Sequence, residues 1–253
     1  MNFKLDKIPE RTTKSRNYGL TMVMDKGAGL QSIEDTLALG ASYIDIVKLG
    51  FGTSMVTENL KEKLDLYKKH DIATYFGGTL FEAFLVRNQL EDYIAYLKKY
   101  NMQYVEVSDG SINIPHAEKC KYIERLVKEG FTVLSEVGSK DIENIMPPYQ
   151  WIEQMENELK AGSSYVIAEA REAGNIGIYR GSGEVREGLV QEIIRKIPAE
   201  KIIWESPQKS QQVYFLDLLG CNANLGNIAF SEILALEATR IGLRGDTFQF
   251  FIK

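Results

Sequence analysis

Eight short apolar runs recur along the chain, and a stretch with helical periodicity separates each run from the next. Parallel strands that are buried on both faces have continuous apolar sequences, and a helix between successive strands forces them to run parallel. The pattern therefore predicts an α/β fold of eight parallel strands, a (β/α)8 or TIM barrel. The runs begin at Leu20, Tyr43, Ile72, Tyr104, Phe131, Tyr165, Lys201 and about Asn222.

Length and composition favour one domain. The chain has 253 residues, and a single barrel of this kind has about 250. No Pro/Ser-rich linker, low-complexity tract or block of like charge divides the sequence. We therefore expect residues 1–253 to form a single barrel domain.

Polar and small residues follow the apolar runs, at the point where each predicted strand ends. In a (β/α)8 barrel the active site is built from the loops at the carboxyl ends of the strands. We therefore expect the residues at these ends to surround one pocket. In chain order they are Asp25-Lys26, Lys48, Gly77-Gly78-Thr79, Ser108-Asp109, Glu136 with Lys140, Glu169 with Arg171, Glu205, and Asn224 with Asn227.

The cations among these residues indicate an anionic ligand. A positive charge near a helix amino terminus is disfavoured by a few tenths to about 1 kcal/mol. Four such placements occur, at Lys26, Lys48, Lys140 and Arg171. Glu136, Glu169 and Glu205 on neighbouring strands offer carboxylates for a divalent metal ion. The structural alternative is a ring of salt bridges that closes the barrel, and Ser108 and Asp109 have a second explanation as helix caps.

Two further features agree with an anion site. Glycines follow several strands, as in Lys26-Gly27, Gly77-Gly78 and Asp109-Gly110, where bare backbone amides at helix starts can bind negative charge. Ser206–Gln212 follows the seventh strand, with Ser206 as the predicted N-cap and Pro207 at the first helical position. Barrels often bind phosphate after strands seven and eight. Arg244 either covers the same phosphate or pairs with Asp246.

Charge and composition exclude several classes of function. The net charge of −5 argues against a nucleic-acid groove, which needs a basic stripe. The chain has neither an apolar run long enough to span a bilayer nor a signal-peptide core, so we expect a cytoplasmic protein that does not contact membranes. Cys120 and Cys221 are expected to be free thiols. His116 is the one histidine near the predicted site, where capping or solvation explains it better than catalysis.

Eight segments form a specific set when they are taken in order and at their spacing, although any one of them alone is unspecific. They resemble the phosphosulfolactate synthase family. The segments are Met24–Gly27, Asp45–Ser54, Gly77–Glu82, Glu106–Gly110, Ser135–Lys140, Ala168–Glu172, Glu205–Gln212 and Gly242–Thr247.

The resemblance implies a carbon-sulfur lyase that adds sulfite to phosphoenolpyruvate with Mg²⁺, giving (2R)-phospho-3-sulfolactate, as in coenzyme M biosynthesis. It implies Lys140 as the general acid that protonates C2, with Lys26, Lys48 and Arg171 as further catalytic cations. Glu136, Glu169 and Glu205 are the expected metal ligands. The expected contacts to substrate and phosphate are Gly78, Thr79, Ser108, Gln208, Lys209, Ser210, Asn227 and Arg244.

The residues alone, without the resemblance, predict only a barrel enzyme that acts on a small phosphorylated anion. A Schiff-base aldolase is one alternative, which would need no metal and would be trapped by borohydride. A barrel that binds phosphorylated metabolites without catalysis is another. The oligomeric state stays open, and an exposed apolar helix face would indicate a homo-oligomer.

Overall fold

Parallel strands alternate with helices along the part of the chain that the computed structural model describes, residues 4–138, 146–171, 173–250 and 252. Two strands begin three residues later than their apolar runs, β2 at Ile46 and β8 at Leu225, and the others differ less. The strands are β1 (Thr21–Asp25), β2 (Ile46–Leu49), β3 (Ala73–Phe76), β4 (Tyr104–Val107), β5 (Thr132–Val137), β6 (Tyr165–Ala168), β7 (Ile202–Glu205) and β8 (Leu225–Ile228).

A helix follows each strand, and two helices lie between β3 and β4. The connection from β6 to its helix is long and runs from residue 169 to residue 186. None of the helices in the described ranges is long and apolar enough to cross a membrane. The helices are α1 (Leu30–Gly40), α2 (Leu60–Lys69), α3 (Gly78–Leu85), α4 (Leu90–Lys99), α5 (His116–Lys128), α6 (Pro148–Lys160), α7 (Glu187–Ile194), α8 (Lys209–Leu219) and α9 (Ile233–Arg240).

All eight strands belong to one sheet, in the order β3-β2-β1-β8-β7-β6-β5-β4, with parallel pairing throughout. The first and last strands along the chain, β1 and β8, are hydrogen-bonded neighbours, so the sheet curls back on itself. The strands at the two ends of the order, β3 and β4, contact each other and nearly close the sheet. The predicted (β/α)8 barrel is confirmed.

The pleat of the strands decides which side chains point into the barrel. Seven apolar residues, among them Ile46, Leu134 and Ile203, form a small buried cluster that is separate from the larger core containing most of the other buried apolar residues. Successive side chains on a strand point to opposite faces, so the residue two positions later faces the same interior. Those residues are Lys48, Glu136 and Glu205. Inside the barrel, a layer of apolar side chains is therefore followed by a layer of charged side chains toward the carboxyl ends of the strands.

The opposite end of the barrel, at the amino ends of the strands, is closed by arginines. Arg240 is fully buried, and its guanidinium donates to the carbonyl oxygens of Cys221 (2.8 Å), Ala223 (2.7 Å) and Leu20 (3.1 Å). Beside it, Arg16 pairs with Asp45 and Arg11 pairs with Glu237. Both cysteines are free thiols, as predicted.

Candidate active site

A cavity of about 870 Å³ opens at the carboxyl ends of the strands. It is lined by eight residues that were predicted to have a catalytic, substrate-binding or metal-binding role, together with others that include Gly77, Glu106, Gly110, Ser111 and Asn175. The cavity is the concave space that the fold predicts for a ligand. The eight are Lys48, Gly78, Thr79, Glu136, Glu169, Arg171, Glu205 and Asn227.

Lys48 lies among three buried carboxylates. Its ammonium nitrogen is 3.0 Å from a carboxylate oxygen of Glu106, and 3.4 Å from one oxygen each of Glu136 and Glu205. No role was predicted for Glu106, although a glutamate inside the apolar run Tyr104–Val107 is a signal of function. A buried strand tolerates a carboxylate only where it finds a partner.

Burial and neighbouring charge change the pKa values of this group. Burial alone would lower the pKa of Lys48, but Glu106, Glu205 and Glu136 outweigh it and raise that pKa well above its usual value. Burial raises the pKa of Glu205 to about 7, against the opposing effect of Lys48 and with the added repulsion of Glu136. Lys48 is therefore a fixed positive charge, whereas Glu205 is near its titration point at neutral pH.

Glu136, Glu169 and Glu205 have the geometry of a metal site. One carboxylate oxygen of each lies within 4.8 Å of those of the other two, and all three residues are buried. Among the described residues, Oδ1 of Asn227 is also buried and accepts no hydrogen bond, and this residue lines the same cavity. Carboxylate and amide oxygens are the ligands that a hard divalent cation prefers, so this donor set fits Mg²⁺.

The glycine amides that were expected to bind an anion are occupied by carboxylates of the protein. The amide of Gly78 donates to Glu106 (2.6 Å), and the amide of Gly110 donates to Glu82 (3.1 Å). Asp25 accepts from the amide of Gly27 (2.8 Å). Binding of a ligand anion by these amides would require these hydrogen bonds to be exchanged, so it stays a prediction.

Two residues from the predicted strand ends have structural roles. Asp25 is fully buried and accepts hydrogen bonds from Lys63 (2.9 Å) and Tyr67 (2.8 Å) of α2. Ser108 is also fully buried, and its hydroxyl donates to Glu82 of α3. Ser108 does not line the cavity, so a contact between its side chain and substrate is not supported.

The segment after β7 was expected to bind phosphate, but it mainly contacts the protein. Helix α8 begins at Lys209 with Gln208 as its cap, rather than Ser206, because Gln208 and Gln211 form a reciprocal capping box. Gln208 and Ser210 line a separate pocket. Lys209 pairs with Asp246 at 2.6 Å, and the positive charge of Arg244 also lowers the pKa of that carboxyl group.

Among the predicted cations, Lys26 lies outside the cavity, and Lys140 is not among the described residues. Lys26 is exposed and is absent from the cavity lining within the described ranges. Lys140 lies outside the described residues, so its role stays a prediction. The buried Lys119 of α5 was not predicted, because the sequence around it is that of an ordinary amphipathic helix. Its ammonium pairs with Asp109 (2.9 Å) and with Glu158 (3.0 Å), and it donates to the main-chain oxygen of Glu136.

Comparisons with known proteins agree with these motifs. Residues 9–246 match the family model described as (2R)-phospho-3-sulfolactate synthase (ComA). The chain is 44% identical over 244 residues to a phosphosulfolactate synthase of Methanothermobacter thermautotrophicus, covering 94% of this chain and 95% of that protein. The chain belongs to the phosphosulfolactate synthase family. A phosphosulfolactate synthase of Bacillus subtilis is 41% identical over 250 residues and is covered over 98% of both chains.

Solved structures of other enzymes share the fold of this family member. A 3-hexulose-6-phosphate synthase aligns with a TM-score of 0.54 at 14% identity, covering 90% of this chain and 99% of that one. A phosphonopyruvate hydrolase aligns with a TM-score of 0.55 at 9% identity, covering 85% and 77%. At such low identity these likenesses concern the barrel alone, whereas the family relationship rests on the sequence.

Proposed function

We propose that this chain catalyses the Mg²⁺-dependent addition of sulfite to phosphoenolpyruvate, forming (2R)-phospho-3-sulfolactate as a carbon-sulfur lyase. The family supports the reaction, since its members carry the name of this product. The observation that carries the proposal is the buried group of three glutamates beside Lys48 in the cavity. A divalent cation at this acidic group would lower its repulsion of two anionic substrates.

Glu136, Glu169 and Glu205 are the residues that would hold the metal ion. Mg²⁺ bound there would stabilise the negative charge that develops on the substrate carboxylate when sulfite attacks C3. The buried amide oxygen of Asn227 and the acidic donor set fit this ion, as does the room left in the cavity for substrate oxygens and water.

The cationic side chains lower the repulsion between two anions. Arg171 lines the cavity at the end of β6, and Lys48 contributes a positive charge fixed by its carboxylate neighbours. Thr79 lines the same cavity at the start of α3 and offers a hydroxyl group to substrate oxygens. Preorganised groups of this kind supply much of the rate in reactions that develop charge. Sulfite is a good nucleophile already, so no activating base is needed.

A proton must reach C2 after the carbon-sulfur bond forms. The family resemblance assigns this step to Lys140, which follows β5 in the sequence. Nearby cations would lower the pKa of a lysine in that position toward neutral pH, which suits a general acid. In this scheme the sulfur of sulfite bonds to C3, the double bond between C2 and C3 is lost, and the phosphate ester stays intact.

The direct test is incubation of the purified protein with phosphoenolpyruvate, sulfite and Mg²⁺, while the enol absorbance is followed. We expect the absorbance to fall only when all three are present, and chelation to stop the reaction. Product is identified by mass spectrometry as the sulfonated phosphoester. Consumption of phosphoenolpyruvate without sulfite, or borohydride trapping of a lysine adduct, would favour an aldolase. Binding of phosphoenolpyruvate without turnover would favour a non-catalytic barrel.

A further inference from the structure

The connection between β6 and α7 carries cavity residues on a long stretch of irregular chain. Arg171, Ala173 and Asn175 from this connection line the cavity. The regular pairing found within its described part is one isolated antiparallel bridge, between Tyr179 and Val185. Irregular loops are generally more mobile than the elements they join, so a loop that must present side chains with precision needs an external support.

Gln211 of α8 provides hydrogen bonds to two distant points of this connection. Its side-chain amide donates to the carbonyl oxygen of Gly174 at 2.7 Å and to that of Gly183 at 3.1 Å. Its amide oxygen accepts from the backbone of Gln208 at 3.1 Å. Gln211 is 1% exposed. The side-chain amide of Gln211 therefore makes three hydrogen bonds, and both of its N–H groups donate to the β6–α7 connection.

The loop also fits closely around these glutamines. The side chain of Gln208 donates to the carbonyl oxygen of Ala173 at 2.7 Å. A Cβ atom at Gly174 would lie 2.6 Å from the side-chain amide of Gln211, and one at Gly183 would lie 3.1 Å from that of Gln208. Both glycines have positive φ, +63° and +86°, which side chains rarely adopt. The backbone of the loop is therefore shaped to approach the start of α8.

We propose that Gln211, assisted by Gln208, is a positioning residue that holds the β6–α7 connection so that Arg171 and Asn175 face the substrate anions. The inference rests on the proposed function for the identity of those anions. It replaces the sequence-based expectation that the start of α8 binds phosphate itself. Gln208 and Gln211 act on the site through the loop and do not touch the substrate.

The test compares Gln211→Glu with Gln212→Glu. The first change keeps the shape of the side chain but removes both donors to the loop. Gln212 is an equally buried neighbour whose amide donates to Ser206 and Glu232, away from the loop. We expect KM for phosphoenolpyruvate to rise about tenfold or more in Gln211→Glu, with little change in the affinity for Mg²⁺, because two hydrogen bonds are lost.

Hydrogen–deuterium exchange supplies a readout that does not need activity. We expect faster exchange across residues 173–186 in Gln211→Glu and an unchanged rate there in Gln212→Glu. If Gln211→Glu is too unstable to purify, Gly174→Ala tests the same contact from the loop side, with Gly181→Ala as control. Gly181 belongs to the same connection, and a Cβ there meets no atom within 4 Å.

The outcomes separate this inference from the proposed function. Equal KM values and equal exchange in the Gln211 and Gln212 variants would overturn the positioning role, as would equal behaviour of the two glycine variants. A wild-type protein that neither binds nor consumes phosphoenolpyruvate would refute the proposed function. In that case faster hydrogen exchange of the loop in Gln211→Glu would still show that Gln211 holds the loop in place. Unchanged exchange would refute that role.

Discussion

Buried charged side chains have different partners at the two ends of the barrel. At the amino ends of the strands, Arg240 is matched to three backbone carbonyl oxygens, and the neighbouring arginines each have a carboxylate partner. At the carboxyl ends, Lys48 faces three carboxylates at once. Counting the described residues that line the cavity, four glutamates face one lysine and one arginine. Those glutamates are Glu106, Glu136, Glu169 and Glu205.

This difference distinguishes a structural charge from a functional one. Buried charges are costly unless they are paired, so a protein that uses charge only for stability provides partners from its own chain. The amino-terminal end meets most of that condition, because carbonyl oxygens or carboxylates of the chain accept from each of these arginines, although Nε of Arg240 and Nη2 of Arg11 have no partner among the described residues. Among the described residues that line the cavity, the carboxyl-terminal end has more negative than positive charges, and a divalent cation would offset this difference.

The largest expected effect comes from removing one of the charges at the carboxyl-terminal end. Glu169→Gln should reduce turnover about a thousandfold at a fixed low concentration of Mg²⁺, since a metal ion supplies several kcal/mol to such a step. The fold should persist, because the amide replaces the carboxylate with almost no change in shape. Turnover and the thermal midpoint are measured together. The control is Glu237→Gln at the amino-terminal end of the barrel, which should keep its turnover. Loss of activity in both variants would contradict the proposed difference between the two ends.

The next effect concerns the proton donor. Lys140→Ala should lower turnover by about 100-fold or more, as expected for loss of a positioned general acid. Affinity for phosphoenolpyruvate should change less, since Lys48 and Arg171 still hold the anions. Steady-state kinetics separates the two effects. A variant that keeps its turnover and only raises KM would make Lys140 a binding cation instead.

At the amino-terminal end the expected effect is on stability. Arg240→Met should lower the free energy of unfolding by about 3 kcal/mol or more, because it leaves several buried carbonyl oxygens without a donor. Turnover per folded molecule should be unchanged. Denaturant titration and kinetics at low temperature check both statements. An Arg240→Met protein that folds stably but loses activity would show that this end also serves the reaction.

A smaller effect is expected from pH. The pKa of Glu205 is raised to about 7 in the folded protein, above its ordinary value, because burial disfavours the carboxylate. A carboxyl group whose pKa is raised by folding contributes stability at pH values below its pKa in the unfolded chain. This contribution is lost as the pH rises through 7. The metal-free protein should therefore become less stable between about pH 5 and pH 8. Glu205→Gln should remove this contribution, and a pH dependence identical to the wild type would contradict the assignment.

The fold could be predicted from the sequence because its signal is local. Continuous apolar runs such as Tyr165–Ala168 indicate buried parallel strands, and strand-to-strand order follows from the helices between them. The position of Glu169 and Glu205 at strand ends could be predicted for the same reason. The pleat then places them on one interior face.

The partners within the site could not be predicted, because they come from distant parts of the chain. Gly78 and Gly110 have free amides as far as the sequence shows, but Glu106 and Glu82 occupy them in the folded protein. Likewise Gln211 looks like a polar residue at a helix start, and only the return of the β6–α7 connection shows what it holds. Local motifs indicate which groups are available and leave open which of them are already bonded.

Calorimetric titration of the metal-free protein with Mg²⁺ tests the central contrast most directly. We predict one binding site per chain in the wild type, loss of that site in Glu136→Gln, and retention of it in Arg240→Met. The two variants remove a charge from opposite ends of the same barrel, so each serves as the control for the other. Equal binding by Glu136→Gln and wild type, or no binding by the wild type at millimolar Mg²⁺, would contradict the account.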